Sequence, residues 1–206
     1  MEIWDISPLI STRTAVFPGD QPFSQEVSMS FSKGDHLKLS SFKTTPHIGA
    51  HTDAPSHYNP RGLDIDQVSL EPYIGKAQVI EVNLGEKDHI KPEHFCQHEI
   101  LAQRVLFKTN SFPNAESWDD NFKAISSETV KFLKTKGVIL IGIDTPSVDI
   151  SSSKSLPGHN EFYQSNIRVL EGITLSEVTE GLYELIALPL KLEGLDASPV
   201  RAILRR

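Results

Sequence analysis

Residues 46 to 57 read Pro46-His47-Ile48-Gly49-Ala50-His51-Thr52-Asp53-Ala54-Pro55-Ser56-His57, which puts three of the eight histidines and one aspartate within eleven residues. Imidazole nitrogen and carboxylate oxygen are the preferred donors for zinc and similar divalent ions. Ligands of one ion must converge within about 4 Å of each other, because each bond is roughly 2.0–2.2 Å. A straight strand would hold His47 and His51 about 13 Å apart, at about 3.3 Å per residue. If these residues share a site, the segment has to bend. A helical turn brings positions i and i+4 to about 5–6 Å, which predicts one for the His47/His51 pair. Gly49 and Pro55 permit a sharp bend that turns Asp53 and His57 inward. A lone histidine is usually an ordinary core or surface residue. The added aspartate and third histidine weigh against that reading here.

A metal that does chemistry also needs an open position and a supporting carboxylate. His159 and Glu171 form a second candidate cluster far along the chain. Glu171 directly follows the apolar run 167–170, broken only by Arg168, and precedes Gly172. An acid so placed can point into a cleft; a solvated strand end is the competing reading.

The rest of the chain predicts a mixed α/β fold around a central sheet, in one domain spanning 1–206. Strands are expected at 78–84, 104–108, 138–143, 183–192 and 200–204. A helix is expected over 127–136, capped by Ser126 or Ser127 and stopped by Gly137. Further helices are expected over about 92–102 and 158–165. The Pro-rich opening, to about residue 75, carries turn and loop signals.

With 20 Lys and Arg against 27 Asp and Glu, the net charge is −7. That balance disfavours nucleic acid as a partner. The single cysteine, Cys96, excludes an intrachain disulfide and, beside Phe95, reads as a packing residue. There is no basic, apolar leader and no run near the roughly 18 apolar residues of a membrane span, so a cytoplasmic protein is expected.

The segment His47 to His57 resembles the signature of the metal-dependent cyclase-like hydrolases, whose domain is of the swivelling β/β/α type. Within that family, four other stretches are similar to the bacterial kynurenine formamidase (arylformamidase) branch. They are Trp4-Asp5-Ile6-Ser7, Phe17-Pro18-Gly19-Asp20, the run from Leu140 to Ser147, and the closing stretch from Tyr183 to Arg201. The resemblance implies hydrolysis of N-formylkynurenine to kynurenine and formate by a metal-activated water, in tryptophan degradation. It implies a homodimer and two metal ions per subunit, zinc in the first instance, with Mn2+ or another divalent ion as the alternative. It implies that His47, His51 and Asp53 bind one ion, that Asp53 and Glu171 bridge, and that His159 completes the second. His57 would donate and accept the proton, and Phe17, where the family usually has Trp, would contact the aryl formamide substrate. Pro46 and Ala50 stand where the family more often has Thr, which would alter supporting hydrogen bonds rather than ligands.

Two rival readings share the metal signature: an amidohydrolase that opens a cyclic amide such as isatin, and a non-catalytic metal-binding protein of the same fold. A Ser-His-Asp hydrolase is disfavoured because no Gly-x-Ser-x-Gly elbow is present.

Overall fold

A computed structural model describes residues 1–85 and 88–206. The strands, in chain order, are β1 (Ile3–Asp5), β2 (Ser24–Met29), β3 (Leu39–Lys43), β4 (His51–Asp53), β5 (Ile74–Glu81), β6 (His89–Ile90) and β7 (Arg104–Lys108). They continue with β8 (Ala124–Ile125), β9 (Leu140–Ile143), β10 (Arg168–Leu170), β11 (Gly181–Ile186), β12 (Ala197–Pro199) and β13 (Ile203–Arg205). Two α-helices, α1 (Ser127–Thr135) and α2 (Pro157–Ser165), follow β8 and β9 respectively.

Seven strands form one mixed sheet in the order β1-β13-β11-β5-β7-β9-β10. From β5 to β10 neighbouring strands run parallel, and the β1, β13, β11 side is antiparallel. The mixed α/β class expected from the sequence is the one observed. Successive side chains of a strand point to opposite faces, and the central strands use both. Val105 and Phe107 of β7 and Ile141 and Ile143 of β9 pack with Val130 and Leu133 of α1 and Phe162 of α2. Leu106 and Leu140 face the other way, into a second core with Ile6, Tyr73, Leu170 and Leu185. Both faces are therefore covered, which is why 138–143 reads as a nearly continuous apolar run.

Ser126 caps α1, its hydroxyl accepting the Thr129 N–H at 3.2 Å. Elements shift at their ends: β5 starts and stops earlier than 78–84, β11 covers 181–186 rather than 183–192, and the strand expected at 200–204 is Ile203–Arg205. The helix expected over 92–102 does not form; only a 3₁₀ turn, Pro92–His94, is present. The Gln78 side chain takes the backbone instead, accepting from Leu101 N–H at 2.8 Å and donating to Glu99 C=O at 2.9 Å. Cys96 is exposed rather than packed, and Phe95 alone enters the core. The opening is not all loop. β2 and β3 pair as a hairpin whose second strand is exposed throughout, so no burial alternation marked it in the sequence.

Leu106 is fully buried at the centre of the sheet. Leu106→Ala should lower stability by about 2–5 kcal/mol, measured by urea denaturation. A loss under about 1 kcal/mol would mean that this face of β7 is not a packed core.

Candidate metal centre

β4 supplies the first donors. As residues i and i+2 of one strand, His51 and Asp53 share a face, and all three residues of β4 are buried. The helical turn expected at 47–51 is absent. The chain bends instead, with Gly49 at φ +60°, a left-handed conformation that favours glycine, and then enters β4. The bend folds His47 back, leaving its ring centroid 5.3 Å from that of His51. His57 follows on a 3₁₀ turn, Pro55–His57, opened by Pro55.

The distant residues arrive by backbone pairing. His51 and Glu171 exchange two main-chain hydrogen bonds, His51 N–H to Glu171 C=O at 3.0 Å and Glu171 N–H to His51 C=O at 2.9 Å. Glu171 therefore sits beside β4 and is 2 % exposed, so it is not a solvated strand end. β12 pairs antiparallel with β4, and Ala54 N–H donates to the Asp196 carbonyl just ahead of β12. That bond brings Asp196 to the turn that carries His57.

The donors converge. His47 Nδ1 lies 2.9 Å and His51 Nε2 3.7 Å from Asp53 Oδ1, and His51 Nε2 is 3.1 Å from Glu171 Oε2. On the other side of the same carboxylate, His159 Nε2 is 3.3 Å from Asp53 Oδ2 and 3.5 Å from Glu171 Oε1. His47, His51 and Asp53 form one group of metal-ligand geometry, and Asp53, His159 and Glu171 form another; within each, one donor atom per residue lies within 4.8 Å of the rest. All five residues predicted as ligands meet here, with Asp53 common to both groups.

Two features fit a divalent cation. Asp53 is 1 % exposed, and its Oδ1 accepts no well-aligned hydrogen bond although His47 Nδ1 lies 2.9 Å away. A buried carboxylate oxygen left without a donor is costly unless a cation meets it. The imidazoles are also held to present their free nitrogens. His51 Nδ1 is 2.9 Å from the Gly49 carbonyl, and His159 Nδ1 is 2.7 Å from Asp149 Oδ2. Each contact favours a proton on Nδ1, so that in the neutral ring the Nε2 lone pair faces the space between the carboxylates, where a cation could take it. Asp149 is itself fixed, accepting the Gly158 and His159 backbone N–H groups at 2.9 and 3.0 Å.

Without metal the cluster holds protons in the cation's place. Burial opposes a charge on His47, but Asp196 and Asp53 on its two sides outweigh it and push its pKa up to about 10. Burial likewise opposes charge on His159, and Asp149, Asp53 and Glu171 hold it well above its ordinary value. Burial alone would raise Asp53, but His159 and His47 keep it well below the usual carboxylate range. Glu171 is also lowered: burial and the Asp53 charge oppose this, and His159 and His51 prevail. Loading a divalent ion must release these protons.

A cavity of about 290 Å³ opens onto the donors, lined on one side by Phe17, Phe112 and Trp118. Phe17 and Trp118 meet edge-to-face at 5.4 Å. His57 also lines the cavity; its Nδ1 is 3.0 Å from Asp196 Oδ2, and its Nε2 is 4.0 Å from Asp53 Oδ2. The same Asp196 oxygen is 3.0 Å from His47 Nε2. The sequence reading missed Asp149, Asp196 and Trp118. Asp149 precedes His159 by ten residues, a spacing that signals nothing without the intervening turn.

Residues 4–150 match the family model Cyclase, described as "Putative cyclase". The chain belongs to the cyclase family. Among curated relatives, the kynurenine formamidase of Polaromonas naphthalenivorans is 47 % identical over 206 residues, covering 100 % of this chain and 91 % of that protein. The kynurenine formamidase of Bordetella pertussis is 45 % identical over 204 residues, covering 98 % and 97 %. Solved cyclase-like structures share the fold at lower identity. A structure described as a predicted metal-dependent hydrolase from Bacillus stearothermophilus superposes with a TM-score of 0.82 at 24 % identity, covering 98 % of this chain and 97 % of its own. Isatin hydrolase A from Labrenzia aggregata, bound to benzyl benzoate, gives 0.82 at 22 %, covering 98 % and 93 %.

Asp149 belongs to neither donor group and reaches the cluster through its contact with the His159 ring. Asp149→Asn should therefore weaken divalent-ion affinity about 10- to 100-fold without unfolding the protein. Calorimetric titration with zinc measures this, and an unchanged affinity would remove Asp149 from the metal centre.

Proposed function

We propose that this chain is a metal-dependent amide hydrolase that converts N-formyl-L-kynurenine to L-kynurenine and formate in tryptophan breakdown. The observation that carries the reading is the pair of donor groups sharing Asp53 beside a cavity with an aromatic wall. The substrate is taken from the relatives at 45 and 47 % identity, which are named for it. The isatin reading has weaker support, since the isatin hydrolase shares the fold at 22 % identity.

His47, His51 and Asp53 would hold one ion, and Asp53, His159 and Glu171 a second. Imidazole and carboxylate donors suit zinc, with manganese as the alternative. Bound there, a divalent ion lowers the pKa of water and polarises a carbonyl oxygen. The chain's own residues do the rest. Phe17 and Trp118 receive the aryl ring along the cavity wall, which aligns the formyl group with the donors. Hydrolysis breaks the formyl C–N bond, and the departing arylamine nitrogen must gain a proton. His57 can supply it from Nε2, because Asp196 occupies Nδ1 and fixes the ring. Asp196 is a positioning residue in this scheme. It is held below its ordinary pKa by His47 and His57 against the effect of burial, so it stays an acceptor for both rings.

Among the described residues no helix is long and apolar enough to cross a membrane, and a cytoplasmic location is proposed with the function. We also propose a homodimer, on the family resemblance. The exposed Phe31, Leu39 and Phe42 of the β2–β3 region are apolar surface that a second copy could cover.

The test assays purified protein on N-formylkynurenine and on isatin, with metal measured in the same sample. Turnover of the first and not the second is expected. His57→Ala should keep its metal and lose about 10²–10⁴ in kcat. Wild-type rates in that variant would take His57 out of the reaction.

A further inference from the structure

Outside the donor cluster and His57, four charged side chains line the cavity: Asp20, Asp144, Asp149 and Lys154. Three have partners in the fold. Asp144 accepts from the Thr109 N–H and hydroxyl and from the Asn110 N–H. Asp149 holds the start of α2 and the His159 ring. Asp20 accepts from the Thr45 hydroxyl at 3.4 Å. Lys154 makes no hydrogen bond or ion pair among the described residues, and of the lining residues it alone carries a fixed positive charge.

Its place is set although its side chain is free. The loop 150–156 runs from Asp149, which orients His159, to α2, which carries His159. Bonds at both ends order the loop: Ser153 N–H to the Ile150 carbonyl at 2.9 Å, Leu156 N–H to the Ser153 hydroxyl at 3.2 Å, and the Asn160 amide to the Ser155 carbonyl at 2.8 Å. Ser151 lines the same cavity as Trp118, whose indole N–H donates to Asp120 at 2.8 Å. The structure therefore places an exposed, unpartnered cation on the lining of the cavity that the aromatic wall also lines, on a loop that joins Asp149 to the helix carrying His159.

We propose that Lys154 takes the carboxylate at the amino-acid end of the substrate, so that the site selects aryl formamides that carry this carboxylate over bare ones. This rests on the reading of the site as an aryl formamide hydrolase and deepens it. N-formylkynurenine carries an amide to be cleaved, a ring to be stacked and, beyond the ring ketone, a carboxylate. The cavity offers a counterpart to each: the donor cluster, the Phe17–Trp118 wall and Lys154. At neutral pH the amino-acid end carries an α-ammonium as well as the carboxylate; the other lining charges outside the cluster are acidic and suit the ammonium, which leaves Lys154 as the lining cation for the carboxylate.

The test compares kcat/KM for N-formylkynurenine and for 2-formamidoacetophenone, which keeps the ring and ketone and lacks the amino-acid end. In Lys154→Met the ratio of the two should fall about tenfold, the size of one hydrogen bond to a charged group, mainly through KM for N-formylkynurenine. Lys154→Arg should restore most of the ratio. Melting temperature and metal content measured on each variant separate recognition from damage to the fold. A ratio equal in wild type and Lys154→Met would overturn the assignment, as would an equal loss on both substrates. Wild-type protein that hydrolyses neither substrate would overturn the parent reading and this one with it.

Discussion

The organisation of this molecule depends on one buried carboxylate. Asp53 is almost wholly removed from water, has imidazoles on both sides, and keeps one oxygen without a hydrogen bond. A charge in that position is costly unless opposite charge surrounds it closely. Protonated imidazoles can do this in the metal-free protein; divalent cations do it with the donor geometry found here. The rest of the site can be understood as what brings compensating groups to Asp53 and holds them there.

The fold provides that by pairing short pieces of backbone. β4 gives His51 and Asp53 a common face, β12 closes one edge of β4, and the bridge between His51 and Glu171 brings in a residue from beyond β10. Glycines make the approach possible at one point. A side chain on Gly172 would stand 2.1 Å from the Gly49 carbonyl, the group that fixes the His51 ring. The close contact there thus orients the His51 ring as well as packing the chain. α2 adds His159 at its first turn, where Asp149 receives both its backbone N–H and its ring N–H. A helix start is positively polarised, so it also suits the Asp149 carboxylate that organises the second donor group.

The donor residues were legible in the sequence because their types are restrictive. Few reasons other than a metal gather His47, His51, Asp53 and His57 so tightly, and Glu171 stood out as an acid between an apolar run and a glycine. The local conformation was less legible. A helical turn and a strand entered through a glycine bend both bring His47 to His51, and spacing alone does not choose between them. The sheet strands were visible because burial on both faces leaves long apolar runs, whereas β3, exposed throughout, left no pattern. The 92–102 region looked helical because nothing local reveals that Gln78 captures its backbone. Asp149 and Asp196 were missed for a related reason: they act on rings ten and more than a hundred residues away in the chain, through contacts that only the folded topology creates.

The central claim is that Asp53 lies between two cations. Anomalous diffraction at the zinc edge, from crystals of the metal-loaded protein, tests it most directly. The account predicts two peaks, each about 2.0–2.2 Å from an Asp53 oxygen, one beside His47 and His51 and the other beside His159 and Glu171. Density showing no ion at Asp53 in protein that is fully active would contradict it.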